Sequence, residues 1–338
     1  MSTEVSIVVP NFNKADRLET SLLSALSQGD GIEVIVVDDA STDSSVAIVE
    51  RLQESHKDLR LLALDTNVGG SRCRNLGLSE SKGRFVIFMD SDDVLLPGCC
   101  DGRILAASSF PDNDAWIFPM SVVRSDPHRV VDVWRPSGDE HLGRFLSHRI
   151  PWQTMQPMWR TDFVRCIGGF DPDFKRLQDV EFHTRALLAG ARIACTSGWA
   201  PDSEYFVEPS RHGPEMVHVR RRHVDAALQF YATFFPRVPS DMQAHLAGTL
   251  LEASCFVDAC RRRGELDDAE ARDMQSRLVT CCRVSWQRRV LRMSARTRVA
   301  APVHVPGIRM LTHAVLTGRS SRVLARVLAP IAQRGAGR

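Results

Sequence analysis

The sequence predicts an α/β fold: a mixed, mostly parallel sheet flanked by helices, followed by a mainly helical C-terminal extension. Three observations carry that prediction. Through residue 120, short β-branched runs alternate with segments of helical spacing, the pattern of right-handed βαβ crossovers that cover a sheet on both faces. Polar residues punctuate the ends of three of these runs. From residue 216 the strand signals stop, and Ala, Leu and Arg dominate. At 338 residues the chain suits one large α/β domain with an appendage, or two domains.

The elements follow in order. Val5–Val9 is a first strand, and Leu18, Leu22, Leu23 and Leu26 give the next segment one apolar helical face. Val34–Val37 is a second strand, followed by a helix with Val46, Ile48, Val49 and Leu52 on one side. Ser41–Asp43 reads as the N-cap of that helix. Leu59–Leu64 and Phe85–Met89 are further strands, with Trp116–Phe118 a weaker fifth. Residues 120–215 are less regular and rich in Trp, Pro and Gly. Residues 216–338 read as helical, broken at His304–Pro306. Ligands of such sheets bind beyond the carboxyl ends of the strands. Pro10–Asn13, Asp38–Asp39 and Asp90–Asp93 are therefore expected to open onto one crevice.

Composition narrows the class. Hydrophobic residues make up 43% and charged residues 25%, as in an ordinary soluble globular protein. The opening MSTEVSIVVP lacks a basic stretch before a long apolar core, and no apolar run approaches about 18 residues. The expectation is a cytoplasmic protein. Nine cysteines, scattered and without C-x-x-C, predict buried free thiols in a reducing compartment, not a disulfide frame or zinc site. The net charge of +2 conceals an asymmetry: 13 arginines and no acid follow Asp273. Arg283–Met293 places Trp286, Val290 and Met293 on one helical side, and residues 322–331 repeat the pattern before Pro330. Such a surface either lies on an anionic membrane leaflet or packs its apolar stripe on the rest of the protein. Nucleic acid is not expected, for want of interleaved aromatics or an RNP-like strand.

The stretch Phe85–Met89, buried by its composition, ends in Asp90, Asp92 and Asp93. Clustered acids at a buried strand end repel one another and lose hydration, so a cation belongs among them. Oxygen ligands without Cys or His beside them suit Mg²⁺ or Mn²⁺, which keep waters and accept substrate phosphates. The bland alternative is an acidic turn closing the strand.

Four ordered blocks extend the reading: SIVVPNFNKADRLETSLLSALSQ at 6–28, IEVIVVDDASTD at 32–43, NVGGSRCRNLGLSESKGRFVIFMDSDD at 67–93, and IGGFDPDFKRLQDVEFHTRALLAG at 167–190. Over residues 5–215 the chain resembles the inverting family 2 glycosyltransferases of GT-A fold. The resemblance implies a nucleotide-binding half (1–120), an acceptor half (121–215) and a separate helical extension (216–338). It also implies a nucleoside-diphosphate-sugar donor (UDP- or TDP- favoured), Mn²⁺ or Mg²⁺, and transfer to a hydroxyl of a glycan, lipid-linked or small-molecule acceptor. Asp39 matches the acid that accepts from a nucleobase imide N–H. Pro10 and Phe12 match positions packed on base and ribose, and Asn67, Gly69 and Arg74 match the segment under the nucleotide. Gly69 would admit a close backbone approach, and Arg74, with Arg72 as the alternative, would offer forked donors to a pyrophosphate. In the D-S-D-D segment the resemblance makes Asp92 the metal ligand, places Asp90 near ribose or metal, and adds Ser91 to the nucleotide set. His212, or else His218, is the candidate late histidine ligand.

An inverting transfer needs a carboxylate to take the acceptor proton. Asp179 matches the second acid of the family's Glu-Asp pair, with Gln178 in place of the first. Its alternative role is to cap a helix Val180–Ala189. Arg185 reads as a support or salt-bridge partner and Trp152 as either a sugar-stacking face or core. The absence of Gln-x-x-Arg-Trp and of membrane spans favours single-residue transfer over processive synthesis. A catalytically silent nucleotide-sugar binder is the rival, opposed by the joint presence of Asp39, Asp92 and Asp179.

Overall fold

The computed structural model describes residues 3–125, 128–136, 138–207, 217–285 and 287–292. The chain divides into two compact units: Met1–His141 with Ile150–Pro209, and Leu142–Arg149 with the described part of Ser210–Arg338.

The first unit opens as strand and helix in alternation: β1 (Val5–Asn11), α1 (Ala15–Leu26), β2 (Ile32–Asp38), α2 (Ser45–Gln53), β3 (Leu59–Ala63), α3 (Gly70–Glu80) and β4 (Phe85–Phe88). These four strands run parallel in the order β4-β1-β2-β3, with Val8 opposite both Ile35 and Phe88. Every residue of β2 and β4 is buried, as continuous apolar runs require of a sheet covered on both sides. Val5, Ile7 and Val9 share one core with Leu18, Leu22 and Ala25 of α1 and Val49 and Leu52 of α2. Ile35 and Val37 pack instead with Cys73 of α3. Gly77 lets α3 close on the sheet, because a Cβ there would overlap the Val8 side chain.

Two local expectations are corrected. Leu23 is 42% exposed; the buried stripe of α1 is Leu18, Ser21, Leu22 and Ala25, the i, i+3, i+4, i+7 set from which Leu23 is rotated away. The N-cap of α2 is Ser44, without a side-chain hydrogen bond. Asp43 accepts from the Ser45 N–H and the Ala15 N–H, both at 3.0 Å, so one carboxylate serves the first turns of α2 and α1.

Next come β5 (Val94–Leu95), α4 (Cys99–Ser109), β6 (Ala115–Ile117), β7 (Met120–Ser125), β8 (His128–Trp134), α5 (His141–Leu146, which past His141 belongs to the second unit), β9 (Pro157–Arg160), α6 (Thr161–Cys166), α7 (Gln178–Leu188), β10 (Ile193–Cys195) and β11 (Ser203–Phe206). β9 enters the main sheet antiparallel between β4 and β6, giving the order β10-β6-β9-β4-β1-β2-β3. A second sheet, β5-β11-β7-β8, occupies sequence that gave no regular signal. Arg103, fully buried on α4, is forked onto Asp202 at 2.7 and 2.9 Å and donates to the Met155 carbonyl at 3.0 Å. A guanidinium at that depth is tolerable only when paired in this way.

The second unit is helical. α8 (Val217–Phe234), α9 (Gln243–Arg262) and α10 (Asp268–Cys281) follow in order. Asp267 and Glu270 form a reciprocal capping box at the start of α10. Thr249 of α9 donates to the Leu146 carbonyl at 2.8 Å. Beyond α10, Gln287 and Leu291 are buried, and Arg288 Nε donates to the Cys282 carbonyl at 2.7 Å. Gln287 and Leu291 (i, i+4) thus face inward, with Val290 half-buried beside them. Trp286, Met293 and residues 322–331 lie outside the described residues. Among the described residues no helix is long and apolar enough to cross a membrane. All nine thiols are free; Cys166 and Cys195 are exposed, correcting the expectation of burial for those two.

Candidate active site

The ends of β1, β2 and β4 converge on one cavity of about 310 Å³. Pro10 reaches it near the end of β1, Phe12 and Lys14 after β1, Asp39 after β2, and Asp90, Ser91 and Asp92 after β4. Arg74 from α3 and Gln178 from α7 complete its polar wall. Phe12 is 47% exposed, an aromatic face left open beside the cavity. Asn67, Gly69 and Asp179 are not part of the wall. His212 and the side chain of His218 lie outside the described residues.

At the end of β2 two neighbouring acids divide their work. Asp38 is buried and accepts from Asn11 Nδ2 at 2.7 Å, the Ser41 N–H at 2.8 Å and Ser41 Oγ at 2.7 Å. Asp39 faces the cavity while accepting from the Val68 N–H at 2.6 Å and the Gly69 N–H at 2.9 Å. Asn67 Nδ2 donates to the Asp39 carbonyl at 3.2 Å. Asn67 and Gly69 therefore act on the site by fixing Asp39. Gly69 sits at φ +91°, a conformation that side chains resist. Each Asp39 oxygen keeps a further lone pair for a ligand.

At the end of β4 the partners are cations. Arg74 Nη2 donates to Asp90 Oδ1 at 2.5 Å, and its Nη1 donates to Gln178 Oε1 at 2.9 Å. The guanidinium lies 5.3 Å from the Phe170 ring centroid. Lys14 Nζ is 2.6 Å from Asp92 Oδ2. Asp93 is buried, is not part of the cavity wall and accepts from the Phe206 N–H at 3.1 Å, bracing the acidic loop on β11. Burial, then the adjacent Asp90 charge, holds the Asp93 carboxyl well above the usual carboxylate range.

The resemblance implies a divalent ion. Among the described residues no group of three or more His, Cys, Asp or Glu side chains is disposed to hold one. Asp90 and Asp92 nevertheless offer hard oxygens on the cavity wall, each already drawn to a cationic side chain. Two such carboxylates fit Mg²⁺ or Mn²⁺, which complete their shells with water and phosphate.

Asp179 is the second residue of α7, inside its first turn. The expected helix start at Val180 is corrected to Gln178, and the N-cap position belongs to Leu177 at φ +58°. Burial raises the Asp179 carboxyl, with the Val180 N–H and Arg74 acting in the opposite direction. Glu181 is turned inward, held by Arg185 at 2.7 and 2.9 Å. Arg185 also donates to the Ile167 and Gly169 carbonyls at 2.5 and 2.6 Å, so it clamps the Gly168-Gly169 turn. Trp152 is fully buried, edge-on to His141 and His183, which removes it as a stacking face. Burial lowers His183 to about 3, keeping that imidazole neutral.

Lys14 and Cys73 line the cavity without any expectation from the sequence, and the link of Gln178 to Arg74 is equally unforeseen there. Burial pushes the Cys73 thiol up to about 12, so it is an inert wall atom. Lys14 carried a signal, as the one cation in the loop between β1 and α1.

The model of glycosyl transferase family 2 matches residues 6–170. The succinoglycan biosynthesis protein ExoO of Rhizobium meliloti (strain 1021) is 40% identical over 251 residues, which span 70% of this chain and 70% of ExoO. The chain belongs to glycosyltransferase family 2. This glycosyltransferase is also 30% identical over 224 residues to the poly(ribitol-phosphate) beta-N-acetylglucosaminyltransferase TarS of Staphylococcus aureus (strain MW2). That match covers 62% of this chain and 36% of TarS, so the chain spans about a third of that relative's length. The crystal structure of TarS 1–349 in complex with UDP superposes with a TM-score of 0.64 at 20% identity, covering 93% of this chain and 92% of the other. The mannosyltransferase PcManGT from Pyrobaculum calidifontis, in complex with GDP-Man and Mn²⁺, gives 0.52 at 18% identity, covering 97% and 87%. The glycosyltransferase has the GT-A architecture of these enzymes.

Proposed function

We propose that this enzyme transfers one sugar, with inversion, from a nucleoside-diphosphate sugar to a hydroxyl of a cell-surface glycan. The convergence of Asp39, Arg74, Asp90 and Asp92 on one cavity carries this reading. TarS was crystallised with UDP and with UDP-GlcNAc, and TarS is named a poly(ribitol-phosphate) beta-N-acetylglucosaminyltransferase and ExoO a succinoglycan biosynthesis protein; both support it.

Asp39 would accept from the base and Phe12 would cover its face, orienting the nucleotide across the strand ends. Arg74, preset by Asp90 and Gln178, would direct guanidinium N–H groups at the diphosphate. Asp92, with Asp90, would hold Mg²⁺ or Mn²⁺, which when bound supplies charge neutralisation at the departing diphosphate. Asp179 would take the acceptor proton as the hydroxyl attacks the anomeric carbon from the face opposite the nucleotide. Its raised pKa suits that task, since a base works best when its pKa approaches the ambient pH.

Thermal melting with UDP-, TDP- and GDP-sugars, with and without Mn²⁺, tests the donor site, because a ligand of the native state raises the melting temperature. A UDP- or TDP-sugar is expected to give the larger rise, and only with Mn²⁺. Asp179→Asn should keep that rise while transfer falls by about 10³-fold. Normal turnover by Asp179→Asn would remove the base assignment.

A further inference from the structure

Lys14 touches the carboxylate to which the proposed function gives the divalent ion. The approach is built in. Asn13 sits at φ +52°, its N–H donating to Ser41 Oγ at 2.9 Å and its Oδ1 accepting from the Thr42 N–H at 2.8 Å. Ser41 is in turn pinned by Asp38. A left-handed Asn cross-braced to the next strand end fixes where the Lys14 side chain departs.

From that base Nζ reaches Asp92 Oδ2 at 2.6 Å, with the two side chains 34% and 26% exposed. A bound dication and an ammonium on one carboxylate repel each other, so each weakens the other's hold on Asp92. The two cations of the cavity also differ in kind. Arg74 is tied at both ends of its fork by Asp90 and Gln178, whereas Lys14 carries a point charge on a flexible stem. Once displaced from Asp92, its amine would remain in the same cavity, where the donor's diphosphate brings new negative charge.

We infer that Lys14 is a mobile second cation of the donor site: it neutralises Asp92 in the free enzyme, yields Asp92 to the divalent ion, and then pairs with the donor diphosphate. This rests on the donor reading above and adds a residue to it. Metal and nucleotide then bind as a coupled pair, each favouring the state in which Lys14 has moved.

The test compares the full chain with Lys14→Met by two measurements. Free Mn²⁺ is followed by electron paramagnetic resonance without nucleotide, and UDP binding is followed by calorimetry at saturating Mn²⁺. Removing the competitor should tighten Mn²⁺ alone by about fivefold, a modest figure because solvent screens a partly exposed pair. UDP should bind roughly tenfold more weakly, the loss expected for one charge-assisted contact. The opposite signs exclude simple misfolding, which would weaken both. No change in either affinity, or weakening of both, overturns the inference. If the unaltered chain binds UDP with Mn²⁺ while Lys14→Met behaves identically, only this inference fails. If the unaltered chain binds no nucleotide, the donor reading itself fails.

Discussion

The ends of β2 and β4 start from the same chemistry and reach different electrostatic states. Asp38 and Asp39 are answered by backbone N–H groups, an amide and a hydroxyl, all fixed by the fold. Asp90 and Asp92 are answered by Arg74 and Lys14, while Asp93 beside them is pushed toward its neutral form. Neutral dipoles leave a site finished, able to present a preset acceptor to a ligand. Cationic side chains and a crowded third carboxyl leave a site that rewards added positive charge. On the proposed function, the first arrangement would read a base and the second would handle a diphosphate and its ion.

That contrast is most exposed to Asp92→Asn. The amide preserves shape and removes charge, so transfer in the presence of Mn²⁺ should fall by about 10³-fold. The melting temperature without metal should barely change, because the Lys14 pair is partly solvated and contributes little to stability. Retained transfer would show that the β4 acids are ordinary loop residues.

Asp38→Ala asks the converse question of β2. It strips a buried acceptor from Asn11 Nδ2, the Ser41 N–H and Ser41 Oγ. Leaving such donors without a partner should cost about 3 kcal/mol, read as a lower urea midpoint. A loss well under about 1 kcal/mol would mean that the β2 dipoles are not a rigid preset, and the contrast with β4 would lapse.

The sheet and the site were not equally legible in the sequence. β1, β2 and β4 announce themselves because strands buried on both faces must be continuously apolar. β9 does not, since Pro157–Arg160 is four residues long and joins antiparallel in a region with no alternation to mark it. In the second sheet β5 and β11, of two and four residues, stand beside β7 and β8, and those first two are too short for periodicity to register. Within the site, Asp39, Asp90 and Asp92 were visible as acids after strands. The choice of Asp39 over Asp38 came from the resemblance and not from the residues alone, because it depends on Ser41 and on loop residues 68–69. Lys14 was hidden for a related reason: its partner lies in a loop 78 residues away, and only the adjacency of β1 and β4 brings the two together.

Asp93→Asn should give the smallest effect and probes the crowding at β4 most directly. The folded pKa of Asp93 is raised, so the folded chain holds a proton there that the unfolded chain has released above about pH 3.9. Its contribution to stability is therefore complete below the unfolded pKa and is lost as pH rises through the folded pKa. Asparagine keeps an oxygen for the Phe206 N–H and never acquires charge. In metal-free buffer the variant should match the unaltered chain near pH 4 and melt a few degrees higher near pH 8, on the order of 1 kcal/mol for a protein of this size. Groups away from the β4 end titrate equally in both proteins, so the difference between the two melting curves isolates position 93 together with the neighbouring charges coupled to it. Parallel curves across that range would mean that Asp93 ionises freely beside Asp90, and that the β4 end carries its three charges without needing a cation.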